Sequence, residues 1–338
     1  MLTPRQNFLE YLKPDGKPEY LNNSFSMFKF LVGDPCSRYI RGNRVRGTDS
    51  YDPWGTFIHF GADEPAAIPI VTQENQVIPD LAEWYKYLKV PDLEAHCSQG
   101  WDAVRAQNDA IDHDRFLSIS IVPTGIFEQL HMLMTFEDTL MGFLLEPEAM
   151  HSLIEAITEY KLTYFRLIVE NVHPEAIISH DDWGTQNSLF FSKEVWREFF
   201  KEPYRKLYGY LHDNNVIVIH HSDSFLEPIA GELKDIGIDV WQGVIPTNNI
   251  ARLGRELNGT LGMMGGIDSI IDIKNAEQET IHKEVYNACN TYRDVPGFWP
   301  GLTYGGPGAL FPGVYDAVSL EISRYNLEHF GVDPFLQA

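Results

Sequence analysis

The chain has 338 residues, 44% of them hydrophobic and 13% aromatic, a composition of packed globular proteins rather than disordered ones. Its 26 Lys and Arg stand against 48 Asp and Glu, a net charge of −22. That excess opposes nucleic acid as a partner, because phosphate contacts need clustered cations, and it disfavours an anionic membrane surface.

The opening "MLTPRQNFLEYLKPDGKPEY" has no apolar signal segment, and nowhere do about 18 apolar residues run together, so a soluble cytoplasmic protein is expected. Thr3 and Pro4 fit the cap and first position of a short helix. Residues 1–110 read as an irregular extension rich in Pro, Gly and aromatics, with a second helical stretch at "DLAEWYKYLKV". Within it, "SYDPWGTFIHFG" places Asp52, Trp54 and His59 in a loop suited to cover a cavity mouth or to serve as surface structure. Cys36, Cys97 and Cys289 are few and far apart and indicate no disulfide framework.

From about residue 111 the chain alternates. Strands are expected at "FLSISIV", "AIISHDDWG", "VIVIHHSD", "IDVWQGV", "TLGMMGGID" and "FWPGLTYG". Helices fall between them, including "PEAMHSLIEAITEYKLTYFRLIVENV", which starts at a proline, and a segment that Ser192 can cap. Apolar runs without alternation mark strands covered on both faces, and strict β–α order implies a parallel sheet with right-handed crossovers. One domain over 1–338 follows, a (β/α)8 TIM barrel with an irregular N-terminal extension; an open doubly wound sheet is the alternative.

In such a barrel the reactive groups lie at the C-terminal strand ends. Those ends carry Glu128, then His180, Asp181 and Asp182, then His220, His221, Ser222 and Asp223, then Gln242, Asp268 and Tyr304. A connector could use Gly, Asn or Ser instead, so repeated acid, imidazole, amide and phenol endings point to a catalytic rim. Neighbouring His220 and His221 must point to opposite sides of the strand, and His221 is expected to be the core histidine. The glycines of "YGGPGALFPG" fit neither dinucleotide nor P-loop spacing, so no nucleotide site is inferred.

The stretches "TPRQNFLEYLKPDGKPEY", "DLAEWYKYLKVPDL", "SHDDWGTQNSLFFSKEVWREFFKEPYRKL", "VIHHSD", "MGGID" and "TYGGPG" together resemble the uroporphyrinogen decarboxylase superfamily nearly end to end. The resemblance implies a (β/α)8 barrel and one of two activities: decarboxylation of a tetrapyrrole, or methyl transfer with corrinoid proteins. The decarboxylase's arginine-bearing N-terminal stretch corresponds to "EYLNNSFSMFKF", which has no arginine. Methyltransferases of the superfamily that act on thiols carry a His-x-Cys motif and a distant second Cys. Alignment puts His220 on that histidine and Ser222 on the first cysteine, so the thiolate zinc site is absent.

The resemblance therefore implies an O-demethylase component that passes a methyl group from a methoxylated aromatic to the cobalt of a separate corrinoid protein, whose cobalamin is the carrier. Protonating the ether oxygen as its bond breaks is typically worth roughly 10²–10⁴-fold. On this reading His220 is the leading proton donor or metal ligand, Asp182 orients it or binds the substrate hydroxyl, and Asp223 and Glu128 are further catalytic candidates. Asp181, Trp183, Gln186, Trp241, Tyr304, Trp54 and Phe127 are the substrate-binding candidates. Zinc is permitted, with His220 and either Asp182 or Glu128 as ligands, but not demanded. A methylamine donor, the decarboxylase and a non-catalytic binding protein are the alternatives, and the resemblance alone suggests a homodimer.

Overall fold

The computed structural model describes residues 1–42, 44–64, 66–304 and 310–332. The Gly-rich segment 305–309, on which the absence of a nucleotide site was partly read, lies outside the described residues.

Strand β1 (Phe28–Phe30) comes early, followed by three short strands, β2 (Thr48–Tyr51), β3 (Phe57–Phe60) and β4 (Ile68–Pro69), that pair antiparallel in a sheet of their own. The remaining strands are β5 (Leu117–Val122), β6 (Ala176–His180), β7 (Ile217–His221), β8 (Val240–Val244), β9 (Gly262–Ile267) and β10 (Phe298–Leu302). Together with β1 they form one parallel sheet in the order β1-β5-β6-β7-β8-β9-β10. The six strands expected after residue 111 are thus all present, and the N-terminal region supplies a seventh.

An eight-stranded barrel was expected, and the main sheet has seven strands among the described residues. Its edges still approach each other. Ser24 N–H donates to Pro300 O at 3.2 Å, Trp299 Nε1 donates to Ser24 O at 3.3 Å, and Phe8 of the opening helix packs edge-on against both Phe28 and Trp299. The sheet is therefore curled, with the first helix plugging one end. Thr3 caps that helix as expected, and Gln6 completes a capping box with it.

Strand parity divides the core in two. Phe28, Leu117, Ile119, Ala176, Ile178, Ile219, Val240, Met264 and Trp299 form one cluster inside the curl, with at least one residue from every strand of the sheet. Alternate residues Val122, Ile177, Val218, Trp241, Met263 and Phe298 belong to the larger cluster beneath the helices. Each such apolar side chain contributes roughly 1.5–3 kcal/mol on burial, so both faces need cover. The helix Pro147–Val172 supplies much of it with Leu153, Ile157, Tyr164, Phe165 and Ile168. In β8 the ladder slips between Gln242 and Val244, where Gly243 adopts φ +97° and a Cβ would lie 2.7 Å from Thr303 O. Among the described residues no helix is long and apolar enough to cross a membrane.

Candidate functional site at the C-terminal mouth

The inward parity that buries Ile178 and Ile219 brings the next inward residues, His180 and His221, to the rim. Register makes them direct neighbours, and Gln242 is the next member of the same layer. The two imidazoles stack with centroids 4.3 Å apart and planes 13° from parallel. Hydrocarbon forms the floor below. On the neighbouring strand Ile121, in register with Ile178 of that floor, is 40% exposed, so solvent reaches the floor beside the imidazole layer.

Each imidazole is held at one nitrogen. His180 Nδ1 donates to Glu128 Oε2 at 2.7 Å, since a carboxylate oxygen accepts. Gln242 Nε2 donates to Leu302 O and Thr303 O at 3.3 and 3.4 Å, which turns its Oε1 toward His221 Nδ1. His221 Nδ1 therefore carries the proton and Nε2 is left for the cavity. Asp182 reaches toward His180 Nε2 with Oδ2 at 3.8 Å, while its Oδ1 accepts from Asp223 N at 3.0 Å and Ser224 Oγ at 3.5 Å. One ligand atom each from His180, Asp182 and His221 lie within 4.8 Å of one another, and this group could hold a metal ion.

Asp181 does a different job. It is fully buried and accepts from Phe127 N, Glu128 N, Trp183 Nε1 and Tyr204 Oη at 3.0, 3.0, 2.8 and 2.5 Å. Two of those donors are free N–H groups of the first turn of helix Ile126–Leu133, so Asp181 caps it from the adjacent strand end. Gly125 makes this approach feasible, as a Cβ there would fall 2.1 Å from Asp181 Cβ. Buried Lys161 fixes the same loop by donating to Pro123 O at 2.8 Å and to Thr124 O, with Thr124 at φ +59°.

The electrostatics follow from this packing. Burial opposes charge on His180, yet bonded Glu128, then Asp182 and Asp181, outweigh it and push the pKa up to about 9. Burial would raise Glu128, but His180 and the Gly125 N–H hold it near about 2. Burial, then the neighbouring charge of Glu128, push Asp181 up to about 7. Burial and then His180 push His221 down to about 4. Asp223 rises to about 6 through burial and Asp182. Burial pushes Lys161 down to about 8 against the pull of Asp181 and Glu128.

Of the expected site residues, Glu128, Asp182 and Asp223 converge at this rim. His220 does not. It occupies the outward parity, in register with Ser179 and Trp241, and is fully buried under the helices. There its ring stacks on Trp183 at 4.3 Å, and Nδ1 shares a 2.7 Å hydrogen bond with Tyr208 Oη. Burial, then the charges of His221 and His180, lower its pKa to about 3. The expected roles of the two histidines are reversed: His221 faces the mouth and His220 is the core histidine. The metal set built on His220 falls with it. The inward pair separated by one residue is His221 and Asp223, rather than His220 and Ser222.

Four aromatic candidates are also core residues. Trp183 is buried between His220, Trp196 and Tyr204. Trp241 points outward and donates Nε1 to Ser222 O at 2.9 Å. Trp54 packs on Tyr160 of the long helix, with centroids 4.6 Å apart, so the "SYDPWG" turn is anchored structure. Phe127 lies buried among Phe136, Phe190, Phe191 and Phe200. Gln186 is exposed in the loop after β6, and its carbonyl accepts from Thr247 Oγ1. Asp181 is a structural cap. Tyr304 sits half-buried at the rim, donates to Ser269 O at 3.3 Å, and is raised by burial, then by Asp272, Asp223 and Asp268. His180, Ile121 and Lys161 were not among the chosen candidates. For His180 the signal was present, as the last residue of an apolar strand.

A curled parallel sheet whose C-terminal edge gathers imidazole, carboxylate and amide side chains defines a barrel-like α/β protein with a polar cluster at its mouth. The chain belongs to the uroporphyrinogen decarboxylase (URO-D) family, whose model matches residues 55–302. In fold it is similar to a methyltransferase from Methanosarcina mazei, with TM-score 0.62 and 14% identity over 96% of this chain and 99% of that one. A proposed sugar phosphate isomerase/epimerase of Anabaena variabilis aligns with TM-score 0.39 and 12% identity over 72% of this chain and 85% of that one. No curated protein matches the sequence.

Proposed function

We propose that this chain is the substrate-side methyltransferase of an O-demethylase, moving a methyl group from a methoxylated aromatic to the cobalt of a separate corrinoid protein. One observation carries the reading: an imidazole pair in one layer over a hydrocarbon floor, with the carboxylates of Glu128 and Asp182 beside it and solvent reaching Ile121. Family membership supports it, and so does the shared fold with a protein named a methyltransferase.

The chemistry asks for such a layer. A cobalt(I) electron pair forms the bond to the methyl carbon, and the pair of the breaking C–O bond stays on oxygen, which ends as the phenol after gaining a proton. The protein has to neutralise charge on that oxygen as it develops. The Nε2 atoms of His180 and His221 are the groups of this chain that face it, with Glu128 and Gln242 fixing the ring orientations. Apolar Ile121 and the phenol of Tyr304 can flank an aromatic ring, and the rim is the side from which a corrinoid would approach.

Asp182, Asp223 and Glu128 at the rim oppose a substrate carrying many carboxylates, which weighs against tetrapyrrole decarboxylation. The same acids favour a second reading, a methylated ammonium donor. The deciding experiment is anaerobic incubation of the purified chain with reduced corrinoid protein and separate panels of methoxyaromatics and methylamines. Phenol release with methyl–cobalt formation is expected from the first panel. Amine turnover alone replaces the donor, and turnover of neither removes the proposal.

A further inference from the structure

We infer that the outward face of the helix Phe136–Leu145 is the docking surface for the separate corrinoid protein, a partner that meets it with apolar side chains edged by Lys and Arg. The inference rests on the methyl-transfer reading for the identity of that partner; the surface itself is argued from this helix.

A surface helix ordinarily keeps one stripe apolar and turns a polar face to water. This one is apolar on both sides. Thr139, Gly142 and Phe143 are buried against the body of the protein, while Met141, Leu144 and Leu145 stand 53, 74 and 64% exposed. Their spacing puts those three side chains on one face of the helix. Neighbouring large apolar side chains left in water mark an interaction site.

The following helix fixes where that face lies. Pro147–Val172 ends shortly before β6 begins, so its start lies on the side of the C-terminal strand ends. Lys161 bonds Pro123 O and Thr124 O, just past the end of β5. Residues 147–160 therefore rise roughly 20 Å beyond that level, at about 1.5 Å per residue. The helix Phe136–Leu145 packs on this projecting part, as a Cβ on Gly142 would lie 2.7 Å from Met150 Cε. At its start, Phe136 contacts His131, one turn on from Glu128, and Phe190 of the loop after β6, with ring centroids 5.8 and 5.0 Å apart. The exposed face thus belongs to a wall that rises from the rim beside Glu128. A stable interface covers about 800 Å² on each partner, roughly 30 Å across, so a protein seated over the mouth meets this wall.

Charge selects the occupant. From Met132 to Met150 the chain carries four acids and no Lys, Arg or His. Glu137, Glu146 and Glu148 are exposed, and among the described residues none of the three has an ion-pair partner. A second copy of this chain laid face to face there sets acid against acid, and an anionic membrane does the same. A separate protein with a basic rim is complementary.

The test measures binding of corrinoid protein to the full-length chain by calorimetry, and methyl transfer both to that protein and to free cob(I)alamin. The double variant Leu144→Glu, Leu145→Glu should weaken binding, and raise KM for the corrinoid protein, at least about 30-fold. Transfer to free cob(I)alamin should be unchanged. Glu146→Lys should weaken binding about 5–10-fold at low salt and less at high salt. Leu327→Glu, at an exposed leucine of the last helix, should behave as the parent does. Circular dichroism of each variant confirms folding.

Corrinoid protein that fails to bind the parent, or binds every variant equally, overturns the surface, as does equal loss of transfer to both acceptors. Self-association of the parent that the double variant loses, or binding to phosphatidylcholine vesicles that it loses, names another occupant and also overturns it. The two proposals fail separately. Corrinoid binding abolished by the double variant, without methyl transfer from any donor, keeps the surface and removes the demethylation reading. Methyl transfer to the corrinoid protein with an unchanged KM in the double variant keeps the reading and removes the surface.

Discussion

Replacing His220 and His221 by alanine in turn distinguishes the two faces of one strand. His220→Ala removes an imidazole enclosed by Trp183, Tyr204 and Tyr208. Truncating a large buried ring to alanine costs about 3–5 kcal/mol, and the smaller imidazole places the cavity and transfer loss at about 2–3 kcal/mol. Loss of the partner of Tyr208 Oη adds about 1 kcal/mol. The sum, about 3–4 kcal/mol, should appear as a lower urea midpoint with an unchanged slope. His221→Ala opens onto the mouth, where water can enter, and gives up one hydrogen bond to Gln242, so about 1–2 kcal/mol is expected. Its larger effect should be on turnover. If His220→Ala is as stable as the parent and loses turnover while His221→Ala keeps it, the assignment of inward and outward parity is wrong.

Tyr204→Phe should cost about 1–3 kcal/mol in the same unfolding assay, because its hydroxyl donates to buried Asp181 and accepts from Ile126 N. Gly243→Ala should destabilise by more than about 1 kcal/mol and impair turnover, since alanine is strained at φ +97° and its Cβ meets Thr303 O and Ser222 O at 2.7 and 2.9 Å. Glu232 is bonded by Arg197, Lys201 and Lys193, and the first of these contributes most to holding its carboxyl down at about 2. A carboxyl depressed in the folded state stabilises above its unfolded value of about 4.3 and loses that contribution as pH falls toward the folded value. Glu232→Gln should therefore cost about 1 kcal/mol near neutrality, reduced by the exposure of Arg197 and Lys193, and progressively less below about pH 4 in pH-stepped denaturation.

Six strands of the main sheet were legible because buried parallel strands are rich in apolar, β-branched residues, as in the continuous "VIVI" and in "FLSISIV". Strand β1 was not, because Phe28–Phe30 contains a lysine and spans three residues, too few for any pattern. Its place comes from pairing with Leu117–Ile119. Among the described residues the main sheet has seven strands rather than the expected eight, and closure depends on which edges meet, through contacts such as Ser24 with Pro300 that connect residues far apart in sequence. The helix that starts at Ile126 owes its cap to Asp181 from another strand end, a contact no local pattern encodes.

The residues alone determined that acids and histidines end the strands and that adjacent His220 and His221 diverge. Alternation in a strand fixes that much, since successive side chains take opposite faces. The residues did not determine which histidine meets the cavity, and the expectation of His220 was reversed, because a strand apolar on both faces carries no asymmetry to tell inside from outside. Tertiary structure decided it. The register of β6, β7 and β8 and the helices packed over Trp183 and Trp241 assign one parity to the core and the other to the mouth.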